Sequence, residues 1–126
     1  MKNSFDIKIS VKTTYLPEKS NLQIPIYFFA YFIEINNNSE VAIQLLNRHW
    51  EINDANGNTE IVSGPGVIGR QPIIKSTKSF KYNSFCPLKT EFGFMQGFYE
   101  MITLPKKIKF KKNKDPFKLC YPNSIN

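Results

Sequence analysis

Three observations predict an all-β chain folded as a sandwich of seven to eight antiparallel strands. Phe and Tyr are abundant, 11 and 6 in 126 residues, and these side chains suit a half-buried sheet better than a helical bundle. Apolar residues recur with period 2 along several segments, and no segment offers a convincing amphipathic helix. Gly, Pro and Asn punctuate the chain at roughly 8 to 12-residue spacing, which favours a sandwich over other β architectures. The length predicts one domain, residues 1–126, with one core.

Each element follows from its own pattern. "FDIKISV" puts Phe5, Ile7, Ile9 and Val11 on one face and Asp6, Lys8 and Ser10 on the other, a half-buried strand. "TTYLPEKSNLQIP" reads as a connection bracketed by Pro17 and Pro25. "IYFFAYFIEI" is apolar on both faces, as a central strand requires. After the turn "NNNSE", the stretch "VAIQLLNRHWEINDANGNTEIVSG" resolves into a long strand and its partner, with Asn56-Gly57 supplying positive φ values for a tight hairpin. "SFKYNSF", "GFMQGFYEMIT", "KIKFK" and "PFKLCY" follow as further short β segments. Gly97 inside an otherwise apolar strand predicts a bulge or a close backbone approach.

Charge and composition narrow the function classes. The net charge of +7 is uneven: residues 1–60 carry −2 and residues 61–126 carry +9. In "KKIKFKKNKDPFK" Ile108 and Phe110 alternate with lysines, so the lysines decorate a strand edge, where they deter edge-to-edge pairing. The basic residues are 15 Lys and 2 Arg, whereas base readout and bidentate phosphate contacts favour Arg. A specific nucleic-acid partner is therefore not expected. Weak, sequence-independent binding that fades near physiological salt is. No apolar run is long enough for a membrane span, and the start lacks a signal peptide's apolar stretch, so the expected location is cytoplasmic. Cys86 and Cys120 lack zinc-site spacing and read as reduced structural thiols.

The motifs that could carry chemistry are few. "GPGVIG" matches Gly-x-Gly-x-x-Gly, and Gly64, Gly66, Gly69 and Arg70 form the candidate ligand loop, able to offer backbone N–H groups and one guanidinium to a phosphate. The stretch after it contains Pro72 and strand formers, so no helix N-terminus supports the phosphate. A structural inter-strand loop is the simpler reading. His49 is the only histidine, which rules out paired-histidine metal sites; alternation sets it and Glu51 on one face and Arg48 and Trp50 on the other, with Trp50 the large aromatic of the core. Glu51, Asp54 and Glu60 flank a hairpin without the dense oxygen spacing of a calcium loop. No metal site, cofactor or catalytic residue is assigned. Phe94, Met95, Phe98, Tyr99 and Met101 read as core; if Phe85, Phe92, Phe94 and Phe98 shared a surface they would form an apolar patch for a protein partner.

Taken in order, the residues from 45 to 101 carry an Arg-His-Trp stretch, an Asp-Ala-x-Gly hairpin, a Gly-x-Gly-Val-x-Gly-x-Gln-Pro loop, Cys-Pro-Leu, and Gly-x-Met-x-Gly-x-Tyr. This series resembles the ApaG family, and upstream "YLPEKS" and "FFAYFIEINNNSE" fit as well. Three features depart from it: Arg70 stands where an acidic residue is usual, Phe85 replaces a small residue before Cys86, and the C-terminus is rich in lysine. The resemblance implies an immunoglobulin- or fibronectin type III-like sandwich. It also implies bacterial cobalt and magnesium phenotypes without an established activity, and, in eukaryotic relatives, a protein-interaction module. The expected function is therefore a non-catalytic domain that binds a protein of unknown identity. The alternative is a small-ligand binder holding a nucleotide or pyrophosphate at residues 64–69.

Overall fold

A computed structural model of the chain describes residues 5–122; residues 1–4 and 123–126 lie outside it. Eight strands run in order: β1 Ile7–Tyr15, β2 Tyr27–Asn37, β3 Ala42–Asp54, β4 Thr59–Pro65, β5 Ile73–Ile74, β6 Ser79–Leu88, β7 Phe92–Leu104 and β8 Lys109–Cys120. They form two antiparallel sheets. One has the order β1-β2-β6; the other runs β4-β3-β7-β8, with β5 also paired to β3. A 3-10 turn spans Pro17–Lys19. The chain is thus an all-β sandwich of the immunoglobulin or fibronectin type III kind.

The sheets join through the faces that the period of 2 selected. Phe29, Tyr31, Ile33 and Ile35 of β2 are buried together with Ile43, Leu45 and Trp50 of β3 and Met95, Tyr99 and Met101 of β7. Trp50, 1% exposed, sits edge-on to Tyr31, Tyr99 and Phe117 with ring centroids 5.6 to 6.2 Å apart. Aromatic pairs at such separations add to what area burial alone provides. A Cβ on Gly97 would stand 1.9 Å from the His49 carbonyl oxygen. Only glycine lets β7 approach β3 there, and the β7–β8 register slips between Met95 and Gly97.

At one end of the sandwich the fully buried Asn37 ties the two sheets together. Its Nδ2 donates to the Val41 carbonyl at 2.9 Å and the Ile74 carbonyl at 2.8 Å, and its Oδ1 accepts from Ser39. A buried amide with every partner supplied is stabilising, where an unpaired one would cost about 1–3 kcal/mol.

Three expectations change. "KIKFK" and "PFKLCY" form one strand, β8, because an edge strand tolerates Pro116. In the β3–β4 turn only Gly57 has positive φ, at 86°. Gly57 N donates to the Asp54 carbonyl at 3.3 Å and Asp54 N to the Asn58 carbonyl at 3.0 Å, a three-residue loop closed by a glycine bulge. Asp54 also accepts at its carboxylate from Asn56 N and Asn58 N, which holds its pKa below the usual value. Finally, β2 is central within its sheet, yet its outer face is uncovered and leaves Phe32 exposed.

Candidate functional site

The side of the sandwich bounded by β4 and β6 is where the candidate residues converge. Counting pairs outward from the β3–β4 turn sets Trp50 beside Val62 and Arg48 beside Gly64. Alternation then turns Arg48 inward with Trp50. Its Nη1 donates to the Gly66 carbonyl at 2.9 Å and to the Pro65 carbonyl at 3.3 Å, so a guanidinium fastens the glycine loop to β3. Gly64 lies directly beneath the guanidinium, where a Cβ would make ordinary contact with Arg48 Nη1 at 3.5 Å.

The loop itself is a tight turn. Val67 N donates to the Arg70 carbonyl and Arg70 N to the Val67 carbonyl, with Ile68 and Gly69 between them at φ 43° and 75°. Two positive φ values in a two-residue connection describe a type I′ hairpin. Gly66 has φ 64°, and a Cβ there would meet the Arg70 carbonyl oxygen at 2.1 Å; Gly69 has open space around it. Gly66 N donates to the Leu46 carbonyl, Val67 is fully buried, and Gln71 Nε2 donates to the Leu46 carbonyl at 2.9 Å. The N–H groups of Gly66, Val67 and Arg70 are therefore engaged within the protein. Arg70 turns away from the glycines to stack over Phe80 of β6, 5.3 Å from the ring centroid. The structure thus brings Gly64 and Gly66 under Arg48, while Gly69 and Arg70 form the outer end of the loop.

Below the loop, a cavity of about 160 Å³ opens between β4 and β6, lined by Arg48, Tyr31, Trp50, Glu60, Ser84 and Phe85 among others. It adjoins a wider depression of about 480 Å³ at Asp54, Asn58, Glu60, Pro87 and Lys89. Burial dominates the electrostatics here. It pushes the Cys86 thiol up to about 12, with the charge of Glu60 adding to the effect, and it raises Tyr31, Tyr82 and Tyr99 above the ordinary phenol value. The Tyr82 and Tyr99 hydroxyls share a hydrogen bond of 2.5 Å. Trp50 Nε1 is buried without a hydrogen bond of ordinary geometry and has only a weaker contact with Tyr82. At neutral pH the cleft therefore offers one cation, Arg48, and one carboxylate, Glu60, among neutral hydroxyls, a neutral thiol and aromatic edges. That set can orient the N–H and carbonyl groups of a peptide backbone; it does not present an activated nucleophile.

His49 lies elsewhere. It faces out from the second sheet, stacked on Phe98 at 4.8 Å and 14°. Glu51, on the same face, accepts from Gln96 Nε2 at 2.9 Å. Among the described residues no group of three or more His, Cys, Asp and Glu side chains could hold a metal ion, and no helix is long and apolar enough to cross a membrane. The shared aromatic surface does not form. Phe85 lies on the outer face of the first sheet, 6.0 Å from Phe28, whereas Phe92, Phe94 and Phe98 alternate outward on β7 of the second. Phe94 and Phe98 are accordingly not core residues, unlike Met95, Tyr99 and Met101. Sequence reasoning missed Tyr31 and Ser84 as cleft residues, because nothing local says which β6 position faces which β2 position; the register pairs Tyr31 with Ser84.

Comparison with known proteins agrees with this geometry. The ApaG domain model matches residues 17–103. A "Protein ApaG" of Beijerinckia indica subsp. indica is 48% identical over 98 residues, 78% of this chain and 75% of that one. Another, of Vibrio campbellii, is 42% identical over 120 residues, 95% and 94% of the two chains. A crystal structure from Bordetella pertussis superposes with a TM-score of 0.90 at 36% identity, covering 94% of this chain and 95% of the other. The chain belongs to the ApaG domain family.

Proposed function

We propose that this chain is a non-catalytic interaction domain whose β4–β6 side receives a protein partner, in the setting of divalent-cation homeostasis, cobalt or magnesium, that the family resemblance suggests. The observation that carries the reading is the cleft at Arg48 with Phe85, 49% exposed, at its mouth. A large exposed aromatic at the rim of a cleft that holds a guanidinium has the composition of an interface centre. Phe28 and Lys19 flank the Phe85 ring, extending the surface along the first sheet. A protonated thiol and a histidine on another face supply no nucleophile and base pair, which supports binding over catalysis.

The nucleotide or pyrophosphate reading at Gly64, Gly66, Gly69 and Arg70 is the weaker one, because three loop N–H groups and Arg48 Nη1 are already engaged and Arg70 rests on Phe80. The test is affinity capture from native extract with the full chain and its Phe85→Ser variant, followed by mass spectrometry. The expected result is a protein retained by the former and lost by the latter. Identical capture by both chains would contradict the proposal, as would millimolar pyrophosphate shifting the amide resonances of residues 64–69.

A further inference from the structure

The outer face of the second sheet carries a feature that the β4–β6 cleft does not use. Along β7, Phe92 and Phe94 point outward two residues apart, about 6.6 to 6.8 Å along the strand. They remain 38% and 42% exposed. The neighbouring strand β8 brings lysines to the same flank. Lys118 pairs with Phe94 in register and its Nζ lies 6.0 Å from the Phe92 ring centroid. Lys111 sits 4.5 Å over Phe98, whose other face is taken by His49. Lys109 continues the row opposite Ile102. Of the carboxylates of this face, Glu51 accepts from Gln96 and Glu100 from Asn47; Glu100 also stands opposite Lys111 in register, whereas Lys109 and Lys118 face Ile102 and Phe94.

We propose that this flank is a binding platform for single-stranded nucleic acid, with Phe92 and Phe94, whose ring planes stand at 83° to one another, each stacking one splayed base and Lys109, Lys111 and Lys118 of β8 tracking the phosphates. Exposed aromatic rings set beside a positively charged strand are the two components of sequence-tolerant single-strand recognition. The order Phe92-Gly93-Phe94-Met95, aromatic, glycine, aromatic, aliphatic, also follows that of the stacking strand in RNA-recognition sheets. A duplex keeps its bases stacked on one another and offers the rings nothing. An acidic peptide would satisfy the lysines and leave Phe92 and Phe94 without a role.

The test is fluorescence anisotropy with a labelled 12-mer of dT, the matching duplex and a poly-glutamate peptide, on the full chain at about 0.05 M salt and above. The single strand binds most tightly of the three, and its affinity falls with salt. Phe92→Ser with Phe94→Ser lowers that affinity about tenfold or more while leaving the salt slope unchanged. Lys111→Gln and Lys118→Gln each reduce the slope by about 0.7. Equal binding of duplex and single strand, equal binding of the peptide, or a double Phe variant that binds like the parent would overturn the proposal. Ring resonances of Phe92 and Phe94 give a readout independent of the variants: they move on addition of dT, and rings that stay put overturn it as well.

Discussion

The two open sides of the sandwich are built from the same kind of edge strand and closed in opposite ways. On the β1–β8 side, small contacts repeat along the seam: Phe5 against Phe110 at 4.9 Å, Thr13 Oγ1 donating to the Lys118 carbonyl at 3.3 Å, and Lys114 Nζ donating to the Ile9 carbonyl at 3.4 Å. On the β4–β6 side two arginines mark one end, Arg48 on the loop carbonyls and Arg70 on Phe80, and between that end and Lys89 the sheets part to leave the cleft. The difference teaches that a distributed seam excludes a ligand, whereas a seam held at one end leaves space that still needs an occupant. It also predicts unequal sensitivity to mutation.

The largest effect belongs to the concentrated anchor. Arg48→Met leaves the Pro65 and Gly66 carbonyls without their charged donor and should cost about 2–3 kcal/mol in urea unfolding. Lys114→Gln on the distributed side should stay within about 0.5 kcal/mol, since its neighbours still close the seam. Equal losses at the two positions would erase the contrast. Next, Gly66→Ala should cost about 2 kcal/mol and Gly69→Ala about 1 kcal/mol. Both pay for positive φ, but only the former drives a Cβ into the Arg70 carbonyl.

Alkaline pH probes the cleft without mutation. Burial raises the Cys86 thiol from 9.0 to about 12 and raises the Tyr82 and Tyr99 phenols too, so the unfolded chain gives up these protons first. Stability should be whole below about pH 9 and fall as the pH climbs toward about 12. Cys86→Ala should remove the earliest part of that loss, leaving the tyrosine part above about pH 10. A curve for Cys86→Ala that overlays the parent would place the thiol in water. The smallest effect is the acid counterpart at Asp54. Its carboxylate is held below the ordinary value by backbone donors, so its contribution is present above that value and fades as the pH falls below about 3.9. Asp54→Asn should soften the acid limb of a pH-stability profile slightly.

Much of the fold was legible because local pattern and global layer agree. Phe5, Ile7 and Ile9 alternate into the core, Trp50 fills its centre, and Gly97 marks the close approach of β7 to β3. The sequence pattern divides β8 because Pro116 looks like a breaker, and only its edge position makes it harmless. The Arg48 anchor needed the three-residue loop closed by Asp54 and Asn58, since a two-residue turn at Asn56-Gly57 would set Arg48 beside Pro65 and not beside Gly64. The separation of Phe85 from Phe92 and Phe94 could not be read locally, because it depends on which sheet each strand joins, and that is fixed by contacts distant in sequence. The rest of the cleft was hidden for the same reason: Tyr31 and Ser84 meet only once β2 and β6 are paired.

The central claim, that the open side is the binding side, is tested most directly by photo-crosslinking in living cells. A benzophenone amino acid is placed at Phe85 in one chain and at Lys8, on the closed side, in another, and the products are identified by mass spectrometry. The account predicts a discrete protein adduct from position 85 that is lost on Arg48→Met in the folded chain, and no adduct from position 8. Adducts of equal yield from both positions, or an adduct from position 8 alone, would contradict it.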